Sequence, residues 1–264
     1  MDRASSSSES GVKPSDVKER SWAARLLPMA GLVLILALAA GLRFTGLSWE
    51  LRHPVHQDER DYVDNVVSMV EAGDLDHRFY RYPGLFFYLL APGVWLLGPE
   101  RWGGPDAYLV SRGFVAGFGT LNVLLLYLVG ARLIGKSAGL FAALLLAVSP
   151  VAVGACHQVR PDVLLLGFGL LGLLTWAALG KRVGADARAG VVIGLATAVK
   201  FTGLLMVPAY VAARILRPGH RLRGMVLAGA LTIGLTVACT PFALIHASDY
   251  GSGPDYQLRM YFAG

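Results

Sequence analysis

Residues 191–216, VVIGLATAVKFTGLLMVPAYVAARIL, decide how this chain folds. The run is apolar and long enough to cross a bilayer, yet Lys200 stands near its middle, too far from either end to be a flanking anchor. If the run crosses once, Arg214, Arg217, Arg221 and Arg223 fall outside the cell. If it turns at Lys200, it becomes two half-helices of about 10 and 16 residues, and the basic cluster returns to the cytoplasmic side. Short basic loops belong in the cytoplasm, so the turn at Lys200 is the expected solution.

The rest of the chain agrees with a membrane setting. It has 264 residues, of which 55% are hydrophobic and 16% charged, with mean hydropathy +0.53. Soluble domains carry about 25% charged residues. The net charge of +6 sits between apolar runs, where it orients helices, and forms no basic stripe for nucleic acid. Cys156 and Cys239 have neither a disulfide framework nor metal-ligand spacing and read as apolar packing residues. Residues 1–24 are polar and Ser-rich, an expected disordered cytoplasmic arm with no cleavable signal peptide.

A first span over 26–47 follows Lys13, Lys18, Arg20 and Arg25, which place the N-terminus in the cytoplasm. Arg43, near its outer end, is expected to snorkel. Residues 48–106 form a first external loop. In it Tyr62, Val63, Val66, Val67 and Val70 repeat with helical period, the pattern of an amphipathic surface helix. A second apolar segment, 85–97, is about 13 residues long and short for a span. Kept at the outer interface, it leaves Arg132 and Lys136 inside, Arg160-Pro161-Asp162 outside, and Lys181, Arg182 and Arg188 inside. Further runs cover 108–129, 138–155, 163–179, 191–216 and 225–245. The expected fold is an all-α polytopic membrane protein: about seven transmembrane helices over 25–246, interfacial amphipathic helices in the first external loop, and an external tail, 247–264. No internal repeat is evident, which weighs against an inverted-repeat transporter.

This topology gathers Asp58, Glu59, Arg81, Arg160, Asp162 and Lys200 on the external side. Each has a plain alternative. Asp58-Glu59, after His56, suits a helix start as well as catalysis. Arg160-Pro161-Asp162 is an ordinary helix-starting loop or part of a site. Lys200 wants an anion, either a phosphate or a carboxylate such as Asp58 or Asp162. Arg81-Tyr82-Pro83-Gly84, with Tyr80, Phe86, Phe87 and Tyr88, is a headgroup-level anchor or the lip of a lipid-phosphate site. Gly113, Gly117, Gly167 and Gly169 are expected to permit close helix packing.

Taken together, residues 56–62, 81–90, 149–162 and 194–208 resemble the GT-C superfamily of polyprenyl-phosphate-sugar glycosyltransferases, in its protein O-mannosyltransferase and aminoarabinose-transferase branch. The resemblance covers nearly all of the chain after Ala24. It implies a catalytic carboxylate at Asp58 with Glu59 beside it, a second acidic position at Asp162, and a lipid-phosphate contact from Arg81, although Tyr82 stands where the family has the first Pro of a pair. Members are usually longer, so the chain corresponds to the N-terminal catalytic membrane module.

The expected function is an inverting glycosyltransfer on the external face of the cytoplasmic membrane. A polyprenyl-phosphate-linked sugar is the donor, and a lipid, glycan or protein is the acceptor. Asp58 would be general base, and Glu59 and Asp162 would position the acceptor or a divalent ion. Arg81, Arg160 and Lys200 would hold the phosphate, and His56, Arg60, Tyr82 and His157 would line the substrate. No cofactor is expected; a divalent metal is compatible with the resemblance, but the sequence offers no ligand set. Partners are the donor, the acceptor and membrane lipids, not nucleic acid. The alternatives are a lipid-phosphate carrier of flippase type and an inactive remnant acting as a scaffold. Spans nearly free of acidic residues count against a proton-coupled carrier.

Overall fold

The computed structural model describes residues 14–49, 51, 57–177, 179, 183–217, 221–246 and 248. Among these there is no strand. The helices are α1 (Pro14–Phe44), α2 (Gln57–Ala72), α3 (Leu85–Trp95), α4 (Pro105–Leu133), α5 (Lys136–Val148), α6 (Pro150–Ala155), α7 (Pro161–Ala177), α8 (Val183–Val199), α9 (Met206–Ile215), α10 (Arg221–Ala238) and α11 (Phe242–Ile245). Helix α1 begins within the segment read as an N-terminal arm. Of the expected tail, only Ser248 falls among the described residues.

The amphipathic pattern of α2 fixes its seat. Tyr62, Val63, Val66, Val67 and Met69 are buried, while Asp58, Arg60, Asp64 and Ser68 are exposed. Helix α3 packs on this apolar face, with Phe86 edge-on to Tyr62 at 5.4 Å between ring centroids. Its far end stays at the same end of the bundle, because Gly93 lies against Val110 in the first turns of α4. The segment 85–97 therefore does not run to the opposite end.

Helices α5 and α6 meet at Ser149-Pro150 with a bend of 60°. Proline has no amide proton, so the carbonyl of Leu146 loses its helical partner and the break frees that of Ala147 as well. Arg43 fills both vacancies, donating to Leu146 O at 2.9 Å and Ala147 O at 3.0 Å. It is 1% exposed. The snorkelling expectation for Arg43 is thus overturned: two orphaned carbonyls draw the guanidinium inward.

The turn at Lys200 is present. Helix α8 ends at Val199, Lys200 is extended, and a 3-10 turn, Phe201–Leu205, leads into α9. Helix α9 runs back beside α8, since Arg214 near its end meets Asp186 near the start of α8 at 2.9 Å. Helix α10 then runs parallel to α8. A Cβ on Gly190 would lie 2.5 Å from Ala228 O, and one on Gly194 would lie 3.1 Å from Thr232 O. Thr232 donates to Gly190 O at 3.2 Å.

Two ends result. One collects the end of α1, helices α2 and α3, the start of α4, α6, the start of α7 and the Lys200 turn. The other collects Arg132, Lys136, Arg214, Arg217 and the start of α10. Among the described residues, only α4 alone is long and apolar enough to span a membrane, and α5 with α6 qualifies as one broken span. Residues 28–44, 161–177, 201–215 and 222–238 form shorter apolar helices.

Candidate active site

Asp58 and Glu59 are adjacent in the first turn of α2 but face different surroundings. Asp58 is exposed, whereas Glu59 is 1% exposed. Helix α4 turns Arg112 toward Glu59 in a two-pronged pair: Nε donates to Oε1 at 2.7 Å and Nη2 to Oε2 at 2.6 Å. The backbone N–H of Val159 also donates to Oε1, at 3.0 Å. Arg112 Nη1 donates to Leu47 O and Trp49 O, both at 2.7 Å. A buried charge needs such full compensation. One ion pair therefore ties together the end of α1, the head of α2, α4 and the loop before α7. Both Glu59 oxygens accept from protein donors.

Helix α7 begins at Pro161, so Asp162 sits in its first turn, half exposed. Its Oδ1 accepts from Lys200 Nζ at 2.6 Å. Lys200 also stands 6.0 Å over the ring of Tyr82. Tyr82 stacks on Phe79, with centroids 5.9 Å apart and planes at 9°, and meets Tyr62 edge-on at 5.2 Å. The guanidinium of Arg81 lies 5.8 Å over Phe79. Each of the two cations thus sits over one ring of a single aromatic stack.

Tyr62 is buried one helical turn after Asp58, its ring edge-on to that of Tyr82. Burial first, then neighbouring Tyr82 and the charges of Asp58 and Asp162, push its phenol pKa well above the ordinary value.

A cavity of about 640 Å³ is lined in part by Trp49, Glu59, Arg112, His157, Gln158 and Arg160. A narrower cleft of about 260 Å³ runs from Asp162 toward Arg43, Asn122 and Cys156. Among the described residues, no three His, Cys, Asp or Glu side chains gather as a metal site requires.

Three other sequence candidates fall differently. Arg60 points outward, 69% exposed, and pairs with Asp64 at 3.2 Å on its own helix, so it does not reach the cluster. His157 lines the larger cavity, but both ring nitrogens are engaged, Nδ1 with Val153 O at 2.9 Å and Nε2 with Thr45 O at 2.8 Å. It staples the end of α1 to α6. His56 lies outside the described residues.

Sequence reading missed Arg112, although an arginine inside the apolar run 108–129 is the same kind of signal that marked Lys200. It also missed Tyr62 as a polar group, since its spacing reads equally well as apolar packing.

The solved structures that this fold resembles include three GT-C membrane glycosyltransferases. The S. cerevisiae protein O-mannosyltransferase complex bound to the sugar donor matches with TM-score 0.61 and 18% identity, over 84% of this chain and 34% of that one. ArnT from Cupriavidus metallidurans, bound to undecaprenyl phosphate, matches with TM-score 0.61 and 22% identity, over 85% and 42%. The Archaeoglobus fulgidus oligosaccharyltransferase in its apo form matches with TM-score 0.64 and 15% identity, over 92% and 35%. The fold is that of a GT-C membrane protein, and the chain spans between about a third and two fifths of these solved chains. The family model for dolichyl-phosphate-mannose-protein mannosyltransferase matches residues 106–245, more than half of the sequence, and the chain belongs to that family. No match is found among curated protein sequences.

Proposed function

We propose that the chain carries the donor-side catalytic module of an inverting glycosyltransferase that uses a polyprenyl-phosphate-linked sugar. The observation that carries this reading is the Lys200–Asp162 pair at 2.6 Å, set at the same end of the bundle as exposed Asp58. In this reading the helices make seven crossings, the N-terminus is cytoplasmic, and the cluster faces outward. The support is that the basic residues Arg132, Lys136, Arg214 and Arg217 gather at the opposite end.

The chemistry follows from the charges. An acceptor hydroxyl attacks the anomeric carbon from the face opposite the phosphate. As the new C–O bond forms, the bond to the phosphate oxygen breaks and its electron pair leaves with the phosphate. Lys200, with Arg81 and Arg160 nearby in the chain's outer loops, offsets that developing charge. Asp58, exposed and next to the buried Glu59–Arg112 pair, takes the acceptor proton. Asp162 holds Lys200 in place before the donor arrives and offers its other oxygen to the sugar or the acceptor. Tyr82 provides an aromatic face under Lys200. Glu59 and Arg112 position Asp58 without touching substrate. The acceptor is a lipid, a glycan or a protein.

The test is Asp58→Asn, assayed for transfer from a polyprenyl-phosphate sugar in reconstituted membranes. Transfer should fall by at least about 100-fold, in line with the loss of a general base, while the thermal transition stays in place. Wild-type rates in that variant would remove Asp58 from the mechanism.

A further inference from the structure

The end of the bundle opposite the catalytic cluster holds a second buried charge group. Asp186 in α8 is 0% exposed and Arg214 in α9 is 1% exposed. Their side chains meet at 2.9 Å, and Tyr210 Oη donates to the same Asp186 oxygen at 2.8 Å. The other carboxylate oxygen is buried without a hydrogen-bond donor among the described residues. It abuts Gly224 of α10 so closely that a Cβ there would lie 2.4 Å away. A half-satisfied buried pair is a poor source of stability, and apolar side chains of similar volume commonly replace one without loss. Its value lies in geometry.

That geometry concerns Lys200. The α8–α9 hairpin has the Asp186–Tyr210–Arg214 group at its base and Lys200 at its tip. The tip is rigid: Lys200 N donates to Ala196 O at 3.0 Å and Gly203 N to Lys200 O at 2.8 Å. Gly203 is pressed against the Ala196–Thr197 backbone with no room for a Cβ. Helix α8 is held against α10 along a seam of Gly190, Gly194 and Ala228. The outer side of the returning arm is bare by comparison: Leu205 is 75% exposed and Ile215 is 51% exposed. Its seat is set by Met206, Val207 and Val211 packing in the cluster of Trp176, Leu179 and Ile193, by the buried group at the base and, just beyond, by Arg217 donating to Ala177 O and Leu179 O.

We propose that Asp186, Tyr210 and Arg214 form a remote latch that positions Lys200 for the phosphate of the lipid-linked donor. Lys200 directly follows the last residue of α8, 14 residues and about 21 Å along from Asp186. A change of about 3° at the base moves the tip by about 1 Å, and displacements of that size at a reacting group cost on the order of 100-fold. The three are positioning residues, acting through Lys200 without touching substrate. The inference rests on the reading of Lys200 as the phosphate-binding cation.

The experiment measures binding of undecaprenyl phosphate to the full chain in detergent or nanodiscs, with the corresponding unphosphorylated polyprenol as control. Four proteins are compared: wild type, Lys200→Met, the double variant Asp186→Leu/Arg214→Met, and the triple combination. The double variant keeps the base apolar and filled, so its melting temperature should match or exceed that of wild type. Its affinity for the phosphate should fall about tenfold, its affinity for the polyprenol should not change, and Lys200→Met should show at least the same loss. The triple variant should bind no more weakly than Lys200→Met alone, because a latch acting through Lys200 has nothing left to position; additive losses would overturn the proposal. Wild-type binding by the stable double variant, with Lys200→Met impaired, would also overturn it while sparing the reading of Lys200. Wild-type binding by Lys200→Met would overturn both. If the double variant fails to fold, Tyr210→Phe removes one bond of the latch, and a phosphate-specific loss smaller than that of Lys200→Met is the supporting result. Unchanged binding in a folded Tyr210→Phe would then refute the latch.

Discussion

Replacing Arg112 by methionine should cost the fold more than any other single loss of charge near the site. Four hydrogen bonds end on this guanidinium, two at Glu59 and one each at Leu47 O and Trp49 O, all between 2.6 and 2.7 Å. Both side chains of the ion pair are almost wholly buried. Methionine fills the space but leaves Glu59 charged and facing only the Val159 amide. Removing one partner of a buried pair costs about 3–5 kcal/mol. For a domain of this size that corresponds to a drop of roughly 6–20 °C in melting temperature. Arg60→Met is the internal control: its pair with Asp64 is exposed, and such pairs are worth under about 1 kcal/mol. Arg112→Lys should fall between wild type and methionine, because one ammonium cannot reproduce the planar fork. The assay is thermal unfolding of the purified chain in one detergent, followed by tryptophan fluorescence. Should Arg112→Met melt within about 2 °C of Arg60→Met, the clamp does not hold the site together and the account of Glu59 as a positioning residue fails.

Three further outcomes are expected. His77 is buried and stacked on Phe87 at 4.4 Å, and burial lowers its pKa from 6.5 to about 4. Below pH 6.5 the unfolded chain therefore takes up a proton that the folded one refuses, so this contribution is intact above pH 6.5 and is lost as pH falls toward 4. The loss is about 3 kcal/mol, and His77→Phe should flatten the melting temperature across that window; an unchanged slope would refute it. Gly203→Ala places a Cβ 2.4 Å from the Ala196 carbonyl carbon, so the 3-10 turn must move. Polyprenyl-phosphate binding should fall at least as far as melting temperature suggests, and a variant with both properties unchanged would contradict the rigid tip. Arg43→Met strands the carbonyls of Leu146 and Ala147 at the α5–α6 bend and should destabilise by about 2–4 kcal/mol, read by thermal unfolding, with wild-type stability as the refuting result.

Much of the site was legible because intramembrane charge is costly wherever it appears. Lys200 announced a break in its helix, and the break is there. Asp162 was one of the two carboxylates weighed as its partner, and the structure pairs it with Lys200. The acidic pair at the head of α2 was legible as a pair but not as a division of labour. Adjacent helical residues point about 100° apart, so one carboxylate faces solvent and the next faces α4. Which of them does so depends on Arg112, 53 residues away. Arg43 was misjudged because its partners are backbone carbonyls freed by a helix break and a proline, and unsatisfied carbonyls leave no mark in a residue list.

The sequence by itself determined the class of the molecule: helices throughout, apolar runs parted by basic loops, a surface helix carrying Asp58 and Glu59, and a turn at Lys200. Those features follow from hydrophobic periodicity and the cost of charge, which are local. The tertiary structure alone decided which charges are sealed into Glu59–Arg112 and Asp186–Arg214 and which stay accessible, at Asp58 and in the Asp162–Lys200 pair. Burial and hydrogen-bond compensation are properties of packing between distant segments, and no local pattern encodes them.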